Sequence, residues 1–198
     1  MTAPRRTDGE TWVFGYGSLV APDSLASTIG RLVAADDRRP AHLSGYGRRW
    51  NYGSLHLRGD WTHAGTVVRR GLVISLGLTP APDERCNGVI VRVGAEDLEH
   101  LDRRESDYER TDVTDHISLD APDAAVRGRV VTYVPRRSAV ERYEAARDAG
   151  RAAIRQAYWD LVLGAFDELG GEHPNLWAAT PPPDVPVADV RVHRLDTG

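Results

Sequence analysis

The chain has 198 residues, a formal net charge of -4, one cysteine, and 25 basic residues that are all arginine. The absence of lysine excludes enzymes that bind a carbonyl as a lysine Schiff base, and it excludes the phosphate loop ending in Gly-Lys-Ser/Thr. The single Cys86 excludes an intramolecular disulfide and a multi-cysteine zinc site, and the acidic balance argues against a nucleic-acid partner.

The length predicts one domain over residues 11–198, preceded by a polar arm at residues 1–10 that we expect to be disordered. The arm has no hydrophobic signal-peptide stretch, and no apolar run in the chain reaches the roughly 18 residues of a membrane span. We therefore expect a cytoplasmic protein without a membrane partner. The sequence leaves open whether it is a monomer or a homodimer.

Strands are predicted to dominate the first part of the chain. Residues 11–14 form a β-prone run, and Pro22 begins a predicted helix that ends at Gly30. Glycine and proline, notably Gly47 and Pro80, interrupt the strands that follow. Those strands are predicted over residues 41–46, 50–57, 71–79 and 89–93.

The second part of the chain is predicted to be more helical. A helix is predicted over residues 95–105, and a late helix from Ala139 or Arg151 to Leu169, where Gly170 ends it. The late helix has one apolar face formed by Ile154, Tyr158, Leu161, Ala165 and Leu169. Further strands are predicted over residues 113–119, 128–134 and 190–195.

Together these elements predict an α+β fold, with a single domain built on a mixed, barrel-like β-sheet and flanking helices. One short sequence occurs twice, as Tyr16-Gly17-Ser18-Leu19 and as residues 52–55. Four residues are too few to indicate an architectural repeat. We interpret the second copy as strand sequence without a role of its own.

The segment from Phe14 to Leu19 carries the strongest chemical signal, because a strand runs into a Gly-Tyr-Gly-Ser turn. Glycine lets a ligand approach the backbone closely, and successive amides in such a turn can bind an anion. The alternative is an ordinary tight turn with no ligand. Glu105 is a second candidate, since it lies where a charged helix ends and a strand is about to begin.

These residues resemble the γ-glutamylcyclotransferase-like family, whose members carry a Tyr-Gly-Ser loop near the N-terminus. In that family a helix ending in Leu-Asp is followed by a glutamate that acts as general acid and base. Leu101-Asp102-Arg103-Arg104-Glu105 is similar to that second motif. Tyr158, followed by Gly164-Ala165, is similar to a late tyrosine-and-glycine helix of the family.

The resemblance implies an enzyme that converts a small γ-glutamyl substrate into 5-oxoproline without a cofactor or a metal. It implies that Glu105 is catalytic and that a set of other residues binds substrate. That set is Gly15, Tyr16, Gly17, Ser18, Leu19 and Tyr158. The resemblance also allows Trp50 or Asn51 to line the cavity, and Tyr108 to share the surroundings of Glu105.

Several alternatives remain open at the level of sequence. A non-catalytic module that binds an acidic small molecule could have the same fold. Tyr158 could equally be a core tyrosine on an amphipathic helix. None of the seven histidines forms an i,i+4 pair on a predicted helix, so no metal site is predicted. Of three arginine pairs, most are expected in solvent and one could bind a substrate carboxylate: Arg48-Arg49, Arg69-Arg70 and Arg136-Arg137.

Overall fold

The computed structural model describes residues 9–120 and 126–194. Nine strands in this part of the chain form one mixed sheet that curls into a half-barrel, which confirms the predicted α+β class. The strands are β1 (Thr11–Gly15), β2 (Arg38–His63), β3 (Thr66–Val93), β4 (Tyr108–Asp112), β5 (Ile117–Leu119), β6 (Arg129–Pro135), β7 (Ala152–Arg155), β8 (Val187–Ala188) and β9 (Arg191–Arg194).

The main order of the sheet is β4-β6-β1-β3-β2-β5. Strand β7 pairs with β3 and β8, and strand β9 pairs with β2. Strand β1 lies in the interior of this order, antiparallel to β3 and parallel to β6. The segment that leaves β1 therefore begins at the centre of the sheet, with buried strands on both sides.

The long hairpin of β2 and β3 replaces the four separate strands predicted between residues 41 and 93. The chain stays extended through Gly47 and Pro80, and four register shifts interrupt its pairing. Pro80 pairs with Tyr46, directly beside the shift between Ser44 and Tyr46. A bulge tolerates proline because the ladder is already interrupted there, and bulges bend the strand. The positions predicted to separate strands are therefore bends within the continuous strands β2 and β3.

Five helices flank the sheet within the described residues. Helix α1 ends at Gly30, which has a φ of 76° and is a left-handed cap, as predicted. Helix α2 ends one residue before Glu105, again close to the prediction. The helices are α1 (Pro22–Ile29), α2 (Ala95–Arg104), α3 (Arg137–Asp148), α4 (Gln156–Leu169) and α5 (His173–Ala178).

The late helix does not begin at Ala139, because β7 separates α3 from α4. The alternative start at Arg151 is closer to α4, which begins at Gln156 and ends at Leu169 as predicted. Ile154 fits the helical periodicity of α4, but it lies in β7 and pairs with Ile74 of β3. The predicted strand over residues 113–119 was also wrong in its first half. A short 3-10 turn occupies Thr114–His116, where Asp115 had interrupted the apolar alternation. Helix α5 was not predicted.

Close backbone packing fixes the end of β1 against the hairpin. A Cβ atom on Gly88 of β3 would lie 2.2 Å from the carbonyl oxygen of Gly15. Only glycine permits this approach, which explains the Asn87-Gly88 step in a strand that otherwise consists of branched apolar residues.

Two sequence predictions concern the extent of the domain and its contact with membranes. The first eight residues of the predicted arm lie outside the described residues. Within those that are described, we find no helix whose length and apolarity would let it cross a membrane.

Candidate functional site

A cleft of about 780 Å³ opens beside the turn that follows β1, and a smaller recess continues it toward the core. Four residues line both spaces: Ser18, Glu105, Tyr108 and Tyr158. The recess is further lined by Phe14, Gly15, Tyr16, Gly17, Leu19, Leu76 and Tyr133. The cleft and recess therefore bring together the N-terminal motif and the glutamate motif.

The turn of residues 15–19 packs so tightly that its glycines cannot carry side chains freely. A Cβ atom on Gly15 would lie 2.8 Å from Cβ of Leu19, and one on Gly17 would lie 3.1 Å from the hydroxyl of Tyr158. The first hydrogen bond of the following 3-10 turn runs from the Val20 N–H to the Gly17 carbonyl at 2.9 Å. The N–H groups of the residues before Val20 therefore have no partner within the 3-10 turn, as at the start of any helix.

Hydrogen bonds to buried residues also hold the turn in place. The Tyr16 hydroxyl donates to the Tyr133 carbonyl at 2.7 Å. Arg48 Nε donates to the Tyr16 carbonyl at 3.0 Å. Tyr16 is buried, which raises its pKa well above the usual value, with Glu105 adding to the effect. The Tyr16 side chain therefore stays neutral, and its hydrogen bond to Tyr133 anchors the turn to the sheet.

Glu105 caps helix α2 and directs its carboxylate into the recess. Its N–H donates to the Leu101 carbonyl, and its own carbonyl accepts from Tyr108 N–H, both at 2.8 Å. Only 14% of the side chain is exposed. Burial raises the pKa of the carboxyl, while Arg104, 3.2 Å away from Oε1, lowers it.

Tyrosine side chains form another part of the lining. Tyr108 donates to the Leu76 carbonyl at 3.1 Å, and the Tyr158 hydroxyl accepts from the Leu76 N–H at 3.4 Å. Tyr52 stacks on Tyr108 with ring centroids 4.2 Å apart. Burial raises the pKa of Tyr52 and of Tyr158 to about 12, so both are hydrogen-bonding neutral groups at neutral pH.

All seven residues named from the sequence as site residues line the recess: Gly15, Tyr16, Gly17, Ser18, Leu19, Glu105 and Tyr158. Tyr108 joins Glu105 there, as expected. Their roles in binding and catalysis stay predictions at this point.

Sequence reasoning missed the second copy of the short repeat. Tyr52 and Ser54 line the cleft, whereas Trp50 and Asn51, which had been suggested as lining residues, are not among its walls. Trp50 instead stacks on Trp159 in the core. The repeated Tyr-Gly-Ser-Leu sequence was the available signal, and strand β2 brings it to the same cleft.

The arginine pairs named from the sequence lie away from the cleft. Arg48 is 4% exposed and therefore not in solvent, because the core encloses it. Its neighbour Arg49 forms a surface ion pair with Glu84. The guanidinium groups that do line the cleft belong to other residues: Arg104, Arg155 and Arg194.

Two buried histidines converge on one carboxylate outside the cleft and recess. Asp120 lies 2.9 Å from Nε2 of His42 and 2.8 Å from Nε2 of His173. Asn87 Nδ2 contacts Nδ1 of His173 at 3.1 Å, and Arg48 fixes that amide by donating to its Oδ1. Nδ1 of His173 therefore accepts, and Nε2 carries the proton that it donates to Asp120.

With this tautomer, the cluster of His42, Asp120 and His173 is held together by hydrogen bonds to the Asp120 carboxylate. The lone pair that a metal ion would need on Nε2 of His173 is occupied by the proton. No local pattern predicts this cluster, because its members are far apart along the chain.

Comparison of the structure with solved proteins defines the class of fold. A structure named "Gamma-glutamyl cyclotransferase" matches with a TM-score of 0.54 and 14% identity, covering 89% of this chain and 90% of that chain. YkqA from Bacillus subtilis matches with a TM-score of 0.51 and 14% identity, covering 86% and 54%. The chain therefore has the γ-glutamyl cyclotransferase fold.

The sequence comparisons then give the family. A family model described as "ChaC-like protein" matches residues 11–156, so the chain belongs to the ChaC-like family. "Gamma-glutamylcyclotransferase 2-3" from Arabidopsis thaliana is 30% identical over 129 residues, covering 62% of this chain and 56% of that protein. The chain thus spans just over half the length of this relative. The resemblance drawn from the two motifs is confirmed at the level of family.

Proposed function

We propose that the protein is a γ-glutamylcyclotransferase, which releases 5-oxoproline and an amine from a γ-glutamyl amide. The observation that carries the proposal is the buried Glu105 carboxyl, which faces the turn of residues 15–19 across one small recess. The family and the fold support the same activity. A non-catalytic binder of acidic ligands would gain nothing from a buried carboxylate, which favours the enzyme.

The reaction needs a base and an acid but no external nucleophile. Glu105 takes a proton from the substrate's α-ammonium group, and the freed amine attacks the γ-carbonyl carbon. A new C–N bond closes the five-membered ring, and the ring nitrogen loses its second proton to water. The original amide C–N bond then breaks, and Glu105 returns the first proton to the leaving nitrogen. Since the nucleophile belongs to the substrate, holding the glutamyl chain folded supplies much of the rate gain.

The raised pKa of Glu105 suits a group that must both accept and return a proton. A carboxyl with an ordinary pKa near ~4.3 is a weak base at neutral pH. Burial moves the pKa of Glu105 toward the working range, as in other acid–base enzymes. The backbone N–H groups of the turn are suited to hold the oxygen that gains charge during ring closure.

The purified protein is expected to release 5-oxoproline from at least one γ-glutamyl amide, and chromatography of the products measures it. The panel contains a γ-glutamyl amino acid, glutathione and a γ-glutamyl alkylamine. Ligand binding by calorimetry without 5-oxoproline from any member would contradict the enzyme and favour the binding module.

The outer cleft favours a leaving group that carries a carboxylate. The cleft is larger than the recess, and its charged walls hold three guanidinium groups beside the single carboxylate of Glu105. Within the described residues neither Arg155 nor Arg194 pairs with a carboxylate, whereas Arg104 is bound to Ser18. Arg155 is partly buried and Arg194 is exposed. Arg155 at the end of β7 is therefore the arginine best suited to meet an acidic leaving group.

Arg155→Gln is expected to lower kcat/KM about ten-fold for a γ-glutamyl amino acid and to leave the γ-glutamyl alkylamine unaffected, because only the first substrate has a carboxylate on its leaving group. The measurement is kcat/KM for both substrates in each variant. Arg151→Gln is the matched control, since Arg151 is exposed and donates to the Arg69 carbonyl away from the cleft. Equal loss with both substrates would contradict the assignment.

A further inference from the structure

Arg104 joins three parts of the site through one guanidinium group. It is the last residue of α2, and its NH2 group donates to Ser18 Oγ at 2.8 Å. Its NH1 group donates to Thr28 Oγ1 on helix α1. Its Nε lies 3.2 Å from Oε1 of Glu105. The planar fork of arginine lets all three contacts form at once, which the single ammonium of lysine cannot reproduce.

Arg104 also differs in charge from everything else that surrounds Glu105. The other titratable groups around this carboxyl are tyrosines, and burial raises the pKa of each one, so they are neutral at neutral pH. They are Tyr16, Tyr52, Tyr108, Tyr133 and Tyr158. Farther out, the same cleft is lined by His56, Arg155 and Arg194.

We propose that Arg104 is a positioning residue, which holds the Glu105 carboxylate toward the turn of residues 15–19 and supplies its neighbouring positive charge. The two hydroxyl contacts keep the guanidinium in place, because Thr28 and Ser18 anchor it from α1 and from the turn. Arg104 is one-third exposed, so it can adjust while Glu105 stays enclosed. The expected effect of Arg104 on catalysis rests on the proposed function. The contact between Arg104 and Glu105 is independent of that proposal.

The direction of the effect on Glu105 follows from the charge. Burial raises the pKa of this carboxyl and Arg104 lowers it. Removing the cation therefore raises the pKa further, and a smaller fraction of Glu105 is ionised at a given pH. The acidic limb of the kcat/KM profile must then move to higher pH.

The test is a carboxyl ¹³C NMR titration of protein labelled at glutamate, which needs no activity. The resonance that is absent from Glu105→Gln identifies Glu105. Arg104→Gln is expected to move its midpoint to higher pH, whereas Arg104→Lys keeps a charge nearby and moves it less. Arg103→Gln is the matched control with no expected change, because Arg103 is exposed and its ion pair in the described part of the chain is with Glu99, at 4.0 Å.

Kinetics on the same variants test the positioning. Arg104→Gln and Arg104→Lys are both expected to lower kcat at least about ten-fold, since a small misplacement of the catalytic group is costly. Thr28→Val keeps the guanidinium of Arg104 but removes its hydrogen bond to Thr28, and it is expected to lower kcat several-fold. This variant keeps the test valid if the Arg104 variants unfold.

An unchanged Glu105 midpoint in folded Arg104→Gln, or an unchanged kcat in Thr28→Val, would overturn the proposal. If the wild-type protein releases no 5-oxoproline, the proposed function fails, and the NMR titration alone then decides whether Arg104 governs Glu105.

Discussion

Glu105→Gln is expected to lower the kcat for release of 5-oxoproline by about 10²–10⁴-fold, the usual contribution of a general acid–base group. Glutamine has nearly the same shape as glutamate, so the recess and the turn of residues 15–19 keep their packing. The amide can neither accept the α-ammonium proton nor return one to the leaving nitrogen. The measurement is single-turnover product formation at saturating substrate, together with a circular dichroism spectrum of the variant.

The same substitution is expected to leave the free energy of unfolding at pH 7–8 unchanged or raised. Burial raises the pKa of Glu105 in the folded state above its unfolded value. Between those two pKa values the folded chain binds more protons, so stability falls as the pH rises through the folded pKa. Glutamine removes that penalty, and urea unfolding at pH 5 and pH 8 measures its size.

Glu109→Gln is the matched control, because Glu109 is an exposed residue of β4 only four positions away. It should keep wild-type kcat and wild-type stability. Appreciable turnover by Glu105→Gln would refute the catalytic role of Glu105. If Glu105→Gln lost activity because it no longer folds, Glu105 would be a purely structural group.

Arg48→Met lowers the free energy of unfolding by about 2–4 kcal/mol and reduces kcat/KM by about 10²-fold. Arg48 donates to the Tyr16 carbonyl, to Asn87 and to Thr180 Oγ1, so its loss leaves several buried acceptors without a donor. Methionine keeps the apolar stem that packs on the core, and it removes a desolvated cation. The net cost is therefore smaller than the sum of the lost hydrogen bonds.

The loss of activity has a separate cause. Arg48 holds the carbonyl of Tyr16, and without that bond the turn of residues 15–19 loses one of the two side-chain hydrogen bonds described above. The guanidinium also lies over the rings of Phe166 and Trp177, at 4.5 and 5.0 Å from their centroids. These contacts add to its stabilisation.

Arg49→Met offers a comparison at the adjacent position. Arg49 is paired with Glu84 near the surface, and such pairs contribute about 0–1 kcal/mol. Urea midpoints and kcat/KM measured on both variants separate the buried arginine from the exposed one. Equal effects of the two substitutions would contradict the fastening role of Arg48.

Much of the site could be predicted from the sequence, because its signals are local. The turn after β1 is marked by its two glycines, and the glutamate follows a helix whose end lies within one residue of the prediction. Their juxtaposition is not local, and it came from the family resemblance. The geometry adds that Gly15 and Gly17 are needed for close packing.

The missed features depend on contacts between distant residues. Bulges in the β2–β3 hairpin keep the chain extended through Gly47 and Pro80, and no local pattern reveals a bulge. Ile154 matches a helical period by chance, while its pairing with β3 makes it a strand residue. Tyr52 and Arg104 reach the cleft only through the register of the hairpin and the direction of α2.

The position of β1 inside the sheet also determines the order in which the protein can assemble. Residues 11–15 leave the ribosome before β3 and β6, yet Thr11 pairs with Val93 on one side and with Arg129 on the other. The hairpin of β2 and β3 can close early from its tip, whereas β1 must wait for β6, across a long loop whose closure costs entropy. Until then β1 is an edge strand open to wrong partners. The turn that carries the proposed chemistry is therefore among the last parts of the molecule to be secured.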